Sequence, residues 1–375
     1  MLAAMSMLMV AAKLVRSGLT GEHVRALAAR AAGDWERLCE PEILAAVDLP
    51  PAARALLWRP DRAALAADLQ WLRASGARLL VCGRDDYPAQ LAAAAGAPAA
   101  LYLLGEAAAL RAPQLAMVGA RRASPLGCAI ARDLAGALAQ AGLTVTSGLA
   151  IGIDAASHAG ALAAGGRTIA VLGSGLGRIY PRDNLGLAAR IRAAGALVSQ
   201  FPPAAEPRRQ NFPCRNRVIS GLALGTLVVE AAPGSGSLIT AQCALNQGRE
   251  VFAVPGSIRS PLSRGCHRLI REGAHLVEGP EDVLAGLNFL PSDQILVGCR
   301  LGGAEASGGS PEGGAPLDKE YEMLLDALDF EPATLDALVA RSGLPGASVA
   351  SMLLILELQG RVAPYPGGLY GRLSK

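Results

Sequence analysis

Seven short apolar runs dominate the middle of the chain and leave few folds open to it. They are Leu115–Gly119, Leu143–Ser147, Thr168–Gly173, Ala196–Phe201, Thr226–Glu230, Glu250–Val254 and Ala274–Val277. Each is nearly all apolar, as strands buried on both faces of a parallel sheet must be. The segments between them carry helix punctuation. Ser124-Pro125 reads as an N-cap followed by proline at the first helical position, and Gly142 closes that helix. Gly165-Gly166 and Gly195 close the next two. Strand, helix, strand at this spacing predicts an α/β fold with an extended Rossmann-like open sheet, wound right-handedly.

The flanks differ. Residues 1–75 carry Leu and Ala at helical spacing, broken by Pro41 and Pro50-Pro51, and predict a small helical domain. All three tryptophans, Trp35, Trp58 and Trp71, lie in it and read as core anchors. The sheet-forming core is expected over 76–290. Residues 291–316 are rich in Gly, Ser, Ala and Pro without periodicity and read as a flexible linker. Beyond it, helices are expected at 317–329, 332–341 and 347–359, followed by a hairpin around Pro366-Gly367-Gly368. Three helices and a hairpin over 317–375 suggest a winged helix. The helix 347–359 has no Arg or Lys, which argues against base readout.

Other classes fall away. The seven cysteines are scattered with no CxxC pair, which points to a reducing cytoplasm and to neither a disulfide framework nor a structural zinc site. The apolar opening Met1–Ala12 is too short to span a bilayer and lacks a basic leader, so no signal peptide or membrane helix is expected. The net charge is only +3, but of the 35 basic residues all except Lys13, Lys319 and Lys375 are arginine. Biased coding explains such an excess; so does planar recognition of phosphate.

In open α/β sheets ligands bind beyond the carboxyl ends of the strands. After the first run come Gly119, Arg121, Arg122 and Ser124 at a helix start, an anion site by construction. Two surface arginines near a helix start give the same pattern. It is not GxGxxG, and no acid ends the second strand, so a dinucleotide dehydrogenase is disfavoured. After the second run come Ser147 and Gly148, then Asp154 and His158 on one helix face. The expected roles are a helix cap for Asp154 and a local hydrogen bond for His158 rather than a metal site. After the third run, Gly173 and Gly175 offer amides for a phosphate nest, or merely connect elements.

The segment 207–217 (PRRQNFPCRNR) is the densest basic run. Arg208, Arg209, Arg215 and Arg217 surround Asn211, Phe212 and Asn216 with no acid among them. Such a run suits a nucleic-acid strand, with charges on phosphate and Phe212 as a stacking face. After the fifth run, Ser235, Gly236 and Ser237 at a helix start offer donors to an oxyanion. Glu230 fits a general base or an ion pair with Arg215 or Arg217. No Ser/His/Asp arrangement, P-loop or nucleophile elbow is present.

With these segments in order, the chain resembles the DNA-processing protein A (DprA/Smf) family over nearly all its length. The stretches that carry the resemblance are Tyr87-Pro88 with Leu101-Tyr102; Val118-Gly119-Ala120-Arg121; Ser147-Gly148-Leu149-Ala150 with Gly152-Ile153-Asp154; Tyr180-Pro181 with Asn184; Asn211-Phe212-Pro213 with Arg215-Asn216-Arg217; Val229-Glu230-Ala231 with Ser235-Gly236-Ser237-Leu238; and Gly248-Arg249-Glu250-Val251 with Pro255-Gly256. The resemblance implies a core that binds single-stranded DNA and protects it. It also implies loading of the RecA recombinase in natural transformation, a homodimer, a sterile-alpha-motif-like amino-terminal domain and a carboxy-terminal winged helix. It implies no catalytic residue, cofactor or metal. Gly119 and Arg121 would belong to a positive pocket for DNA phosphates. Two departures stand out: Ile151 where a polar residue is expected, and His267 where Asn is expected.

The alternative is a nucleotide-binding enzyme of the phosphoribohydrolase (lysine-decarboxylase-like) type. Those proteins carry Pro-Gly-Gly-x-Gly-Thr-x-x-Glu. Here Pro233–Ser237 takes the analogous place, but Leu238-Ile239-Thr240 follows with no Glu in register.

Overall fold

All seven apolar runs form strands in the computed structural model, which describes residues 2–289, 319–328, 332–359, 361–365 and 368–372. The strands are β3 (Gln114–Val118), β4 (Thr144–Ser147), β5 (Thr168–Val171), β6 (Ala196–Ser199), β7 (Gly225–Val228), β8 (Glu250–Ala253) and β9 (His275–Leu276). They are parallel throughout. Two strands not foreseen, β1 (Arg78–Val81) and β2 (Ala100–Gly105), extend the sheet antiparallel beyond β6. The order is β1-β2-β6-β5-β4-β3-β7-β8-β9.

That order reverses at β3. The chain steps outward from β3 to β6 on one side. It then crosses back through α10 (Asn211–Leu222) to lay β7 against the other side of β3. Chains leaving β3 and β7 diverge, and the divergence opens a crevice at their carboxyl ends.

Between its edge strands the sheet is buried on both faces. Along β2, Tyr102 and Leu104 pack into one core while Leu101 and Leu103 pack into the other, as period-two alternation requires. The first core is closed by the amino-terminal helices α1 (Leu2–Ser17), α2 (Gly21–Arg30), α3 (Pro41–Ala46), α4 (Pro51–Trp58) and α5 (Arg62–Ser75). Val10, Leu14, Leu27 and Leu57 meet Tyr102, Ala170 and Leu197 there. The apolar opening of the chain is therefore a core helix. Asp68 of α5, 2% exposed, receives Arg16 Nε at 2.7 Å and Nη2 at 2.9 Å and ties α1 to α5. The second core packs α10, α11 (Gly236–Asn246) and α12 (Arg264–Arg271) through Val218, Ile219, Ala241 and Leu269. Helices α6 (Ala89–Ala92), α7 (Pro125–Gln140), α8 (Ile153–Ala163), α9 (Leu185–Ala194) and α13 (Pro280–Gly286) complete this part.

One tryptophan departs from expectation. Trp71 packs edge-on against Tyr102 at 6.3 Å, and Trp35 is half-buried against the same core, but Trp58 is exposed. The inward positions of α4 are Ala53 and Leu57, so the next residue turns about 100° away from the core.

The chain divides into two compact units, 1–122 with 131–298 and 123–130 with 299–375. In the second, α14 (Lys319–Leu328), α15 (Leu335–Ser342) and α16 (Gly346–Leu358) pack around Leu324, Leu338, Val349 and Leu353. A three-stranded sheet follows, ordered β10 (Ala333–Thr334), β12 (Leu369–Arg372), β11 (Val362–Tyr365). This is the winged helix expected from sequence. The expected linker lies largely outside the described residues. Among the described residues no single helix is long and apolar enough to cross a membrane.

Candidate functional site

The crevice is a cleft of about 650 Å³. Its walls come from three strand ends and the start of α10. Gly119, Arg121 and Arg122 follow β3; Ala150 and Asp154 follow β4; Ser235, Gly236 and Ser237 follow β7. Phe212, Arg215 and Asn216 come from the first turns of α10, with Arg209 just before it. Four segments far apart in sequence thus meet at one place because each ends or begins at the switch point.

Glycine makes two of these approaches feasible. Gly148 is held from both sides: its carbonyl accepts from Arg215 Nη1 at 2.6 Å, and its N–H donates to Asp154 Oδ2 at 3.1 Å. A Cβ there would occupy the space of the Arg215 guanidinium. Gly152, at φ 81°, lies against the carbonyls of Ala120 and Arg121, where a side chain would collide with backbone.

Arg215 is buried and also donates to Val171 O at 2.9 Å. Burial pushes its pKa down to about 10; Asp154 opposes that fall and Arg121 adds to it. Burial likewise raises the Asp154 carboxyl, although Arg215 and the amides of Ala150 and Gly148 favour its charged form. Asp154 does not cap its helix as expected. Its carboxylate reaches back to the Gly148 and Ala150 amides and fixes the loop after β4. His158 makes the local bond expected of it, Nδ1 to Thr168 Oγ1 at 2.6 Å.

Phe212 meets two cations. The Arg121 guanidinium lies 5.0 Å from its ring centroid and that of Arg215 5.8 Å. Cation–π contacts contribute about 0.5–1 kcal/mol where the cation is exposed, as Arg121 is, and about 2 kcal/mol where it is desolvated. The ring therefore positions Arg121 as well as lining the cleft. Among the described residues, Arg121, Arg122, Arg208, Arg209 and Arg217 take part in no ion pair. Two guanidinium groups on one ring, with the outer one unpaired, make a ready site for an anion.

The remaining predicted residues divide. Ser235 caps α11, accepting from Ser237 N at 3.4 Å and sharing a 2.7 Å hydroxyl contact with Ser237. The α11 amides open into the cleft beside them. Asn216 donates to Gly236 O at 3.2 Å, joining α10 to that turn. Asn211 is buried and donates to Gly173 O at 3.0 Å. Ser147 is buried and donates to Met117 O at 2.5 Å. Gly175 packs its backbone against the 202–205 loop, its N–H on Ala205 O. Ser124 accepts from Gly127 N at 2.9 Å within its own helix start. Arg208 and Arg217 are exposed but do not line the cleft. Leu262 and Thr240 line the cleft and were not foreseen. The Pro255-Gly256 turn after β8 was the one available signal for Leu262. His267 reaches back from α12 to Gly256 O at 2.9 Å, closing that turn.

The comparisons agree with this architecture. Residues 78–288 match the family of DNA recombination-mediator protein A, and residues 309–368 match the DprA winged helix domain. Protein Smf of Escherichia coli is 44% identical over 319 residues, covering 84% of this chain and 82% of that protein. The DNA processing protein DprA of Streptococcus pneumoniae is 44% identical over 205 residues, covering 55% of this chain and 72% of that protein. The X-ray structure of the Streptococcus pneumoniae protein superposes with a TM-score of 0.65 at 37% identity, covering 73% of this chain and 95% of that one. A Helicobacter pylori DNA processing protein A, described for its single-stranded DNA binding mode, gives a TM-score of 0.52 at 26% identity over 56% of this chain and 95% of its own. Fold, order of motifs and sequence identity converge: the chain belongs to the DprA/Smf family of DNA recombination mediators.

Proposed function

We propose that this chain is a DNA-processing protein that binds single-stranded DNA in the switch-point cleft, protects it, and helps load RecA onto it during natural transformation and recombination. The observation that carries the reading is Arg121, unpaired, held over Phe212 and backed by Arg215 at the cleft wall. The α11 amides face the same space, so a phosphate there meets both a guanidinium and a helix start. The name of the Helicobacter pylori relative supports the choice of ligand. Family membership supports RecA as partner, a homodimer and a cytoplasmic setting.

The winged helix has a smaller part in this reading. Its helix α16 carries no Arg or Lys and exposes Leu354, Ile355 and Leu358. Removing 317–375 leaves single-strand affinity largely intact.

The test is a fluorescence-anisotropy titration of single- and double-stranded oligonucleotides across salt. Affinity for the single strand is expected to fall steeply with salt through counterion release and not to be sequence-specific. Arg121→Ala is expected to weaken it by about 1–3 kcal/mol, the worth of a charge-assisted contact. Salt-independent binding, or none, rejects the reading.

A further inference from the structure

Of the three tryptophans in the amino-terminal helices, only Trp58 stands in solvent, 56% exposed at the end of α4. Its surroundings are basic. Arg59 follows it and Arg62 opens α5; both are exposed, and neither takes part in an ion pair among the described residues. Across residues 49–67 the sole acid is Asp61. Its carboxylate is already engaged, since Oδ1 accepts from the amides of Ala63 and Ala64 at 3.0 Å as the cap of α5.

The fold sends this turn to the same edge of the sheet as the cleft. The last residue of α5 lies toward the amino edge, where Ser75 O accepts from Arg192, near the end of α9 and the start of β6. Trp71, one turn earlier, already meets Tyr102, which pairs with Ser199 at the end of β6, and lies against Gly177 in the loop after β5. Arg62 stands nine residues further up the helix, about 13 Å along its axis. The turn between α4 and α5 therefore projects past the carboxyl ends of the strands. Between it and the cleft lie the loops after β5 and β6. Residues 172–184 and 200–210 carry four arginines against two acids, and one of the acids, Glu206, pairs with Arg178 at 3.5 Å.

We propose that the α4–α5 turn is a second contact for the bound strand, in which Trp58 stacks on a base and Arg59 and Arg62 meet the flanking phosphates. The strand reaches it by leaving the cleft over the loops after β5 and β6. This rests on the reading of the cleft as a single-strand site.

The chemistry suits a strand of any sequence. Every base has a π-face for an indole, and guanidinium groups beside it hold the backbone. The sign of the charge also decides against a second copy of this chain as the occupant. Two copies meeting symmetrically at this turn would bring four unpaired guanidinium groups together.

The test is a series of labelled oligo-dT from about 4 to about 30 nucleotides, bracketing the ~4–16 nucleotides that one single-strand domain covers, on the full chain. Trp58→Ala is expected to leave the shortest oligonucleotides bound as in the wild type and to weaken the longest about five- to tenfold, as loss of one stacked base would. The longest oligonucleotide is expected to quench indole fluorescence in the wild type and in neither the shortest-strand complex nor Trp58→Ala. Trp58→Phe keeps a stacking face and is expected to recover most of the affinity. Arg59→Ala with Arg62→Ala is expected to flatten the salt slope of the long strand by about 1.4, the share of two phosphate contacts on a single strand. Unchanged circular dichroism establishes that the variants fold. Long-strand affinity and quenching that Trp58→Ala leaves as in the wild type overturn the second contact while the cleft reading stands. Equal weakening at every length overturns it too, because the effect then comes through the cleft. A change of mass in light scattering with DNA binding unchanged assigns the turn to a second copy and overturns it as well. A wild type that binds no oligonucleotide overturns both readings.

Discussion

Asp154→Ala is expected to lower stability by about 2–4 kcal/mol, because it removes the carboxylate whose field favours a nearby buried charge, with which it makes no ion pair, and leaves buried hydrogen-bond donors unsatisfied. That charge is Arg215, whose guanidinium is buried and already depressed in pKa by its surroundings. The substitution also strips the Gly148 and Ala150 amides of their acceptor. In thermal unfolding followed by circular dichroism, a fall on the order of 10 °C is expected for a unit of this size. Arg215→Met should cost a similar amount, because Gly148 O and Val171 O lose their donor and Asp154 loses its cation. The double variant should cost clearly less than the sum, since no charge is then stranded. Melting of Asp154→Ala within a degree of wild type would sink this account. The consequence for function is direct: the loop after β4 and the start of α10 meet at these two residues, so the cleft wall and the core fail together.

The second large effect is an acid limb centred on His158. Thr168 Oγ1 gives its proton to Val145 O at 2.7 Å, so the 2.6 Å contact with His158 requires Nδ1–H to be the donor. Nε2 is then the bare nitrogen, and among the described residues it has no partner. Burial, helped by Arg215, holds the His158 pKa down to about 3. Between that value and the ~6.5 of an unfolded histidine, only the unfolded chain takes the proton. Stability therefore falls as pH drops from about 6.5 toward 3, by up to ~1.4 kcal/mol per unit. Asp154 works in the opposite sense. Its raised folded pKa means the folded chain binds the proton first, which partly offsets the loss at the acid end. His158→Gln cannot titrate and is expected to flatten the limb in urea denaturation measured from pH 7 to pH 4. An unchanged slope would show that other groups set it.

Much of the fold was legible because parallel strands buried on both faces are short runs of apolar and β-branched residues. Leu115 to Val118 could be nothing else, and all seven such runs are strands. Strand β2 obeys the apolar rule, buried at all but its last residue, and was missed all the same; strand β1 escaped for the opposite reason. Arg78–Val81 opens on exposed Arg78, has only four residues, and pairs antiparallel at the sheet edge, where the apolar rule relaxes. Trp58 misled because residue type says nothing about helix phase; Ala53 and Leu57 define the buried side of α4.

The site was legible as a set of segments but not as a division of labour. Every predicted segment touches the crevice or supports it. Yet the sequence run Arg208 to Arg217 looks like one basic surface, while its members part ways in space. Arg209 lines the cleft, Arg217 faces elsewhere on α10, and Arg215 turns inward to bond two backbone carbonyls. One helix turn separates Arg215 from Phe212, and helix phase decides which side of the wall each occupies.

By itself the sequence determined the kind of sheet, the winged helix, the family and most of the strand-end segments that line the cleft. Those follow from local rules: apolar runs, caps and glycines carry their meaning within a few residues. Only the tertiary structure decided which arginines remain free for an anion, that Phe212 carries Arg121, and that Trp58 stands exposed at the turn before α5. Those facts depend on burial and on contacts between residues as far apart as Gly148 and Arg215, and no local pattern encodes the desolvation that turns one arginine into structure and leaves another as a site.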